Sequence, residues 1–394
     1  MTPECRHFPR CGGCQILDRD YPAQLLFKQD TLRRHFADWP DLDLSPVLPS
    51  PVTEGYRHKV QLPFGWEGAR PTVGCYAAGS HEVVDQDECL VQDPELSRVV
   101  WAVREWAAEL GVPIYREDTG SGWLRYLLLR KGLATGEILL GLVTTRPWPA
   151  SGLPPEDLLE RCRAALEAAV PGAVAGRVVG LVQNLNPGRH NVVLGGEERL
   201  IWGRPHLREV LGPFSFSVGL STFFQVNPFQ TPRLYDLAAQ AVPAGAALLD
   251  LYCGIGTLTL WAARRSGPAL GVEEHPASVE AARVAARENG MANAEFLAAD
   301  ASSAAVASSA AGGIAGRRFD VALVDPPRKG LEAPMREALK SLGLSRIIYV
   351  SCHPATLARD MRSLGDAFRA VSVAPVDMFP HTAHIECVAV LDAR

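Results

Sequence analysis

From Ala246 to the end of the sequence, short apolar runs alternate with segments whose apolar residues recur every three or four positions. The runs Ala247–Tyr252, Ala269–Glu273, Glu295–Ala298, Phe319–Asp325 and Arg346–Ser351 predict buried strands, and the segments between them amphipathic helices. Such alternation predicts an α/β fold with a mostly parallel, doubly wound sheet, which binds ligands at the carboxyl ends of its strands. Two further strands, near Val371–Met378 and Ile385–Leu391, are joined by the short turn Phe379–His384. They are expected to pair antiparallel at an edge.

Upstream the pattern is less regular. Residues 1–50 hold clustered cysteines and a predicted helix over Tyr21–Trp39, with Leu25, Leu26, Leu32 and Phe36 on one side; this helix is expected to pack on the catalytic domain. Pro46, Pro49 and Pro51 mark a linker. Residues 51–215 read as an α+β domain that binds RNA. Its predicted strands are Arg125–Lys131 and Ile138–Thr144, and its helices Pro94–Leu110 and Pro155–Ala168. A hairpin is expected where Asn191–Leu194 and Arg199–Trp202 flank Gly195-Gly196. Residues 216–394 form the third, catalytic domain. Ala301–Gly316, rich in Ala, Ser and Gly, reads as a surface loop or frayed helix.

Composition narrows the classes. The 394 residues are 47% hydrophobic, enough for sizeable cores, and the net charge of -5 excludes capture of nucleic acid by a global positive field. RNA contact then needs a local patch, for which Arg57, Lys59, Arg125, Arg130 and Lys131 are candidates. The first residues lack the pattern of a signal peptide, and no apolar run reaches the roughly 20 residues of a membrane span. The chain therefore reads as cytoplasmic and free of membrane. In that reducing compartment nine cysteines suggest metal or catalysis rather than disulfides.

The candidate chemistry sits at the strand ends. Asp250-Leu-Tyr-Cys-Gly-Ile-Gly-Thr257 is a tight loop with two glycines that lets backbone approach a ligand. Glu273 ends the next strand, where an acid can accept from both ribose hydroxyls, and Asp300 ends the third, toward an adenine. Asp325-Pro-Pro-Arg-Lys-Gly330 is a loop stiffened by two prolines. Amino-group methyltransferases carry Asn-Pro-Pro-aromatic at this place, so Asp325 and Arg328 argue against an amino target. Cys352 lies between a strand and a helix expected to start at Pro354, where the helix dipole is expected to stabilise its thiolate. Cys162, Cys253 and Cys387 read as core packing. Glu386 interrupts an apolar strand, either as an edge residue facing water or as a carboxylate with a task.

Five stretches together resemble the RNA uridine-5-methyltransferase family: Phe223-Phe-Gln-Val-Asn-Pro228, Asp250-Leu-Tyr-Cys-Gly-Ile-Gly256, Asp325-Pro-Pro-Arg-Lys-Gly330, Ser351-Cys-His-Pro-Ala-Thr-Leu-Ala-Arg-Asp360 and Asp377-Met-Phe-Pro-His-Thr-Ala-His-Ile-Glu386. The resemblance implies a Rossmann-like methyltransferase sheet and transfer of a methyl group from S-adenosylmethionine to carbon 5 of a uridine. It implies Cys352 as covalent nucleophile, Glu386 as general base, and Gln225, Tyr252, Thr257, Glu273, Asp300 and Asp325 as cofactor contacts. The family has Phe at Tyr252, Asn or a similar residue near Thr257 and Asn at His353, so those local contacts differ here. Some members carry an N-terminal RNA-binding barrel. With Cys5 almost at the start, that module is expected to be absent, which favours 23S rRNA over tRNA as substrate and a monomer as the working form. Competing readings are a tRNA methylase, an RNA amino-group methylase and a non-catalytic RNA-binding protein with this fold.

Cys5, Cys11 and Cys14 bring three thiols together around Gly12 and Gly13. Cys89, in a polar turn, and Cys75, in a strand-like stretch, are candidates for a fourth ligand, and Cys89 is preferred. Four thiolates suit zinc or an iron–sulfur cluster. Spacing leans to zinc; the resemblance implies a [4Fe–4S] cluster and also favours Cys89.

Overall fold

The computed structural model describes residues 3–149, 152–169, 177–303, 314 and 316–394. The chain divides into two compact units: one holds Met1–Asp18, Val52–Ser221 and Val226–Pro228, the other Arg19–Pro51, Thr222–Gln225 and Phe229–Arg394. The first fifty residues are thus split at Asp18, the cysteines going with the central unit and the helix with the C-terminal one.

Among the described residues, the C-terminal unit has one sheet of eight strands in the order Asp43–Leu44, Phe368–Val376, Glu386–Ala393, Arg346–Ser351, Val321–Val324, Leu248–Leu251, Ala269–Glu273, Ala294–Ala298. Leu248–Leu251 pairs in parallel with both Ala269–Glu273 and Val321–Val324, so the order reverses beside it. That reversal opens a crevice at the carboxyl ends of the strands. The last two strands pair antiparallel, as expected, but not at the edge. Glu386–Ala393 lies between Arg346–Ser351 and Phe368–Val376, and Asp43–Leu44 pairs beyond them. The run Cys387, Val388, Ala389 and Leu391 is buried throughout, which suits a central strand covered on both faces.

The helix Tyr21–His35 is capped by Asp20, whose carboxylate accepts from the Ala23 amide at 3.0 Å. Leu32 and the following Phe36 enter the core of the sheet, whereas Leu26 is 65% exposed. Polar residues on the helix are buried as well. Lys28 Nζ donates to Asp377 Oδ1 at 2.6 Å and to the Phe379 carbonyl at 3.1 Å. Gln24 accepts from the His381 amide at 2.8 Å, and Gln29 from the Val47 amide at 2.8 Å.

The other unit contains a seven-stranded sheet ordered Val83–Asp85, Arg70–Tyr76, Lys59–Glu67, Leu124–Lys131, Glu137–Thr144, Arg177–Leu185, Glu197–Gly203. Helices Pro94–Glu109 and Pro155–Ala169 pack on it through Val103, Trp106, Leu158 and Leu166. The expected hairpin about Gly195-Gly196 is not formed. Glu197–Gly203 pairs with Arg177–Leu185 instead, while the Asn186 amide group takes the carbonyls of Val192 and Val193 and leaves them no ladder to join. Three candidate RNA contacts have structural partners. Arg125 donates to the Asn186 and Gly188 carbonyls, Arg130 donates to the Leu220 carbonyl, and Lys131 pairs with Asp93 at 2.8 Å. Most of Ala301–Gly316 lies outside the described residues.

Removing one partner of a buried ion pair strands the other charge without solvent. Lys28→Met is therefore expected to lower stability by about 3–5 kcal/mol in urea unfolding, and the double variant Lys28→Met/Asp377→Asn, which removes the charge but keeps an acceptor for Tyr21 or the Phe379 amide, to recover part of that loss. Unchanged stability of the single variant would show that the pair does not hold the helix.

Candidate active site

The first strand, Leu248–Leu251, delivers Asp250 into the interior. Burial pushes its carboxyl up to about 8, although Thr259 donates to it at 2.5 Å. The chain then turns through Tyr252 at φ 68°, a backbone state that non-glycine residues adopt at a cost and that clusters at ligand sites. Gly256, at φ 78°, is required: a Cβ there meets the Phe296 ring at 2.7 Å. Glu273 ties this loop to its own strand end, accepting from the Gly254 amide at 3.1 Å and the His275 amide at 3.0 Å. Thr257 starts the following helix and shares a 2.9 Å hydrogen bond with Tyr235. Asp300 accepts from the Ser303 amide at 2.7 Å, and hydrogen bonds from Ser303 hold its carboxyl below the ordinary range. Gln225 is buried in the short Thr222–Gln225 stretch that belongs to this unit.

Across the rim stand the remaining candidates. Asp325 follows the strand Val321–Val324, and burial raises its carboxyl to about 7. Glu386 opens the strand Glu386–Ala393 and is only 5% exposed. Burial first, then the charge of Asp325, pushes it well above the usual carboxylate value, against the pull of Arg328. An edge glutamate facing water is thereby ruled out. Cys352 follows Arg346–Ser351 and is half-buried. Its thiol is raised to about 11 by burial and by the charges of Glu386 and Asp325, with Arg328 opposing. The helix Pro354–Leu364 does begin beside it, as expected, and its N-terminal dipole pulls the other way.

The arrangement is a chain of acids. Asp250 feels Asp325 and Glu273, Glu386 feels Asp325, and Cys352 feels both Asp325 and Glu386. Buried carboxyls held this close ionise more readily once a cation lies among them, so the site suits a sulfonium or ammonium cation, the chemistry that S-adenosylmethionine presents. Arg328 went unassigned in the sequence, yet it is the cation that acts on both Cys352 and Glu386, and its Nη2 lies 2.7 Å from His384 Nδ1. Tyr235 also went unassigned, since nothing in its helical pattern separates it from a core aromatic.

In the other unit, Cys5, Cys11, Cys14 and Cys89 line one cavity together with Cys75. The Cys75 thiol hydrogen-bonds Cys11 and lowers it to about 6; burial and the neighbouring thiols raise Cys14 to about 12. Gln86 Nε2 also reaches Cys11 Sγ at 3.1 Å. Among the described residues, no three Cys, His, Asp or Glu side chains are gathered closely enough to hold a single ion. Several thiols on one cavity are a donor set that suits zinc and an iron–sulfur cluster alike. The structure brings the two candidates for the fourth ligand into the same cavity.

The family model described as tRNA (uracil-5-)-methyltransferase matches residues 215–394. A protein of Leptospira interrogans called an uncharacterized RNA methyltransferase is 38% identical over 399 residues, covering 99% of this chain and 98% of the relative. One of the same description from Halalkalibacterium halodurans is 38% identical, covering 99% of this chain and 83% of its own. Among solved structures, Pyrococcus abyssi tRNA (uracil-54, C5)-methyltransferase, in complex with S-adenosyl-L-homocysteine, superposes with a TM-score of 0.78 at 28% identity, over 98% of this chain and 86% of that one.

A thiol raised to about 11 reacts slowly at neutral pH because the thiolate is the nucleophile. Alkylation of Cys352 by iodoacetamide in the ligand-free protein, followed by peptide mass spectrometry, is expected to accelerate roughly tenfold per pH unit from pH ~7 to ~9.5. A rate already level by pH ~8 would place the thiol far lower.

Proposed function

This chain belongs to the RNA uridine-5-methyltransferase family and is an S-adenosylmethionine-dependent RNA (uracil-5-)-methyltransferase, and we propose that it acts through a covalent bond between Cys352 and the target uracil. The observation that carries this reading is the grouping of Cys352, Glu386 and Asp325 at adjacent strand ends, each within reach of the others' charge.

Carbon 5 of uracil is a poor nucleophile. The Cys352 thiol gives its proton to water in the open cleft as its sulfur bonds to carbon 6, and the ring's π electrons move to form an enolate with nucleophilic carbon 5. S-adenosylmethionine, when bound, supplies an electrophilic methyl group and a positive charge. Glu386 then takes the proton from carbon 5, the carbon 5–carbon 6 double bond re-forms, and the carbon–sulfur bond breaks. A carboxylate whose pKa is raised is the stronger base once ionised, so the burial of Glu386 suits this task. Asp325 is assigned to hold the uracil or the cofactor; Gln225, Tyr252, Thr257, Glu273 and Asp300 are assigned to the cofactor. The target base must leave its stack to reach the thiol.

The substrate proposed first is a uridine of 23S rRNA, on the sequence resemblance. A tRNA uridine is the second reading, favoured by the likeness to the Pyrococcus abyssi protein, which is named for tRNA. Mapping 5-methyluridine in total RNA from a deletion strain separates them: loss from tRNA alone rejects the first. We propose a cytoplasmic monomer; no described helix is long and apolar enough to cross a membrane. We also assign a [4Fe–4S] cluster, rather than zinc, to Cys5, Cys11, Cys14 and Cys89, where it would organise the surrounding fold, because methyl transfer moves no electrons.

Cys352→Ala is expected to abolish methylation, and near wild-type turnover rejects the nucleophile. Glu386→Gln is expected to accumulate an RNA–protein adduct that survives a denaturing gel; free protein with full turnover rejects the base. Anaerobically purified protein is expected to be brown and to lose its colour in Cys89→Ser. A colourless protein containing zinc overturns the cluster.

A further inference from the structure

A cleft of about 490 Å³ opens directly at the nucleophile, lined by Cys352 together with Thr31, His35, Arg328, Lys329, His353 and His384 among others. Its polar lining is one-sided. Two permanent cations and three imidazoles face it, and among the described residues none that lines it is a carboxylate. Thr31 and His35 lie one turn apart on the helix Tyr21–His35, so they share a face. Burial first, and then the nearby charges of His353, Arg34 and Arg362, hold His35 below the ordinary imidazole range, so at neutral pH it faces the cleft as an uncharged hydrogen-bonding group. Arg328 is engaged with His384 and with the reacting groups. The Lys329 ammonium pairs with Glu332, in an ion pair 68% and 54% exposed, which is worth little in water and can be exchanged.

We propose that this cleft holds the phosphodiester backbone of RNA next to the target nucleotide, with Lys329 and His35 as phosphate-positioning residues. The inference rests on the uridine-methylation reading. A base drawn to Cys352 brings its sugar and flanking phosphates to the mouth of the same cleft. The acids that surround the thiol repel those phosphates. A cationic wall on the outer side offsets that repulsion and fixes which way the base enters. His35 comes from the helix clamped by Lys28 and Gln24, so the wall is held rigidly relative to the loop that carries His384.

The test uses Lys329→Gln, Lys329→Arg and His35→Ala in the full chain, with binding of fluorescein-labelled oligouridine followed by anisotropy over a range of salt. For Lys329→Gln, the plot of log Kd against log salt is expected to lose about 0.7 of its slope, with Kd raised about fivefold at low salt; for His35→Ala at neutral pH, Kd is expected to rise with the slope unchanged, because that imidazole is uncharged. Lys329→Arg is expected to keep the wild-type slope. With methyl-free RNA from a deletion strain as substrate, KM is expected to rise while kcat stays within about twofold. A reduced slope in Lys329→Gln supports the assignment of Lys329, and weaker binding by His35→Ala that of His35. An unchanged slope in Lys329→Gln, or unchanged binding by His35→Ala, overturns the proposal. Failure of the wild type to form 5-methyluridine would reject the underlying reading instead, and the oligouridine slopes would still decide the cleft.

Discussion

A carboxylate held inside a protein, next to another carboxylate, is the condition on which this catalytic unit depends. Glu386 is buried at the start of a central strand, and Asp325 stands within reach of its charge. Neither position is comfortable for an ion, and the surrounding structure has to hold both against rearrangement. The turn that leads into Glu386 is fixed from a distance in sequence. Asp377, at its start, accepts from Lys28 at 2.6 Å, from Tyr21 at 3.0 Å and from the Phe379 amide at 3.1 Å. His381, at φ 68°, is clasped through its amide and ring by Gln24. An N-terminal helix thus sets the geometry of the C-terminal base.

The same acids explain why the nucleophile is quiet at rest. Burial, Glu386 and Asp325 all favour the neutral thiol, and Arg328 alone among the named groups opposes them. A neutral thiol is slow to oxidise and slow to attack the wrong partner. A cation that enters beside Asp250, Asp325 and Glu386 lowers these carboxyls, because an opposite charge favours the ionised form. Ionisation of the base is then a consequence of that one electrostatic change.

What could be read from the sequence was what is local. Each strand-end motif is a short stretch of chain, so the succession of strands along the chain, the glycine loop and the place of Cys352 were legible; the order of strands within the sheet, with Glu386–Ala393 inside it, was not. The burial of Glu386 was not, because an edge glutamate and a central one follow the same apolar alternation; only the pairing of Glu386–Ala393 on both sides separates them. The helix Tyr21–His35 misled in a similar way. Its apolar residues pointed to a face, but Lys28, Gln24 and Gln29 are buried there by partners up to 357 residues away, which no periodicity records. The helix terminus beside Cys352 is visible in sequence, while the two acids from other strands that favour its neutral thiol are not.

Cationic residues show the same limit from the opposite side. Arg125, Arg130 and Lys131 cluster in the sequence and look like a nucleic-acid patch, yet folding assigns them to carbonyls and to Asp93. A buried guanidinium that already satisfies backbone groups cannot be withdrawn for a phosphate without leaving those groups unpaired. His35, Arg328, Lys329 and His353 are scattered over more than three hundred residues and form no charge run, but one cleft gathers them beside Cys352. Local charge density in a chain of net charge -5 therefore says little about where an anion can bind. The deciding quantity is which cations folding leaves without a stronger obligation, and Lys329, held by an exposed pair, meets that condition where Lys131 does not.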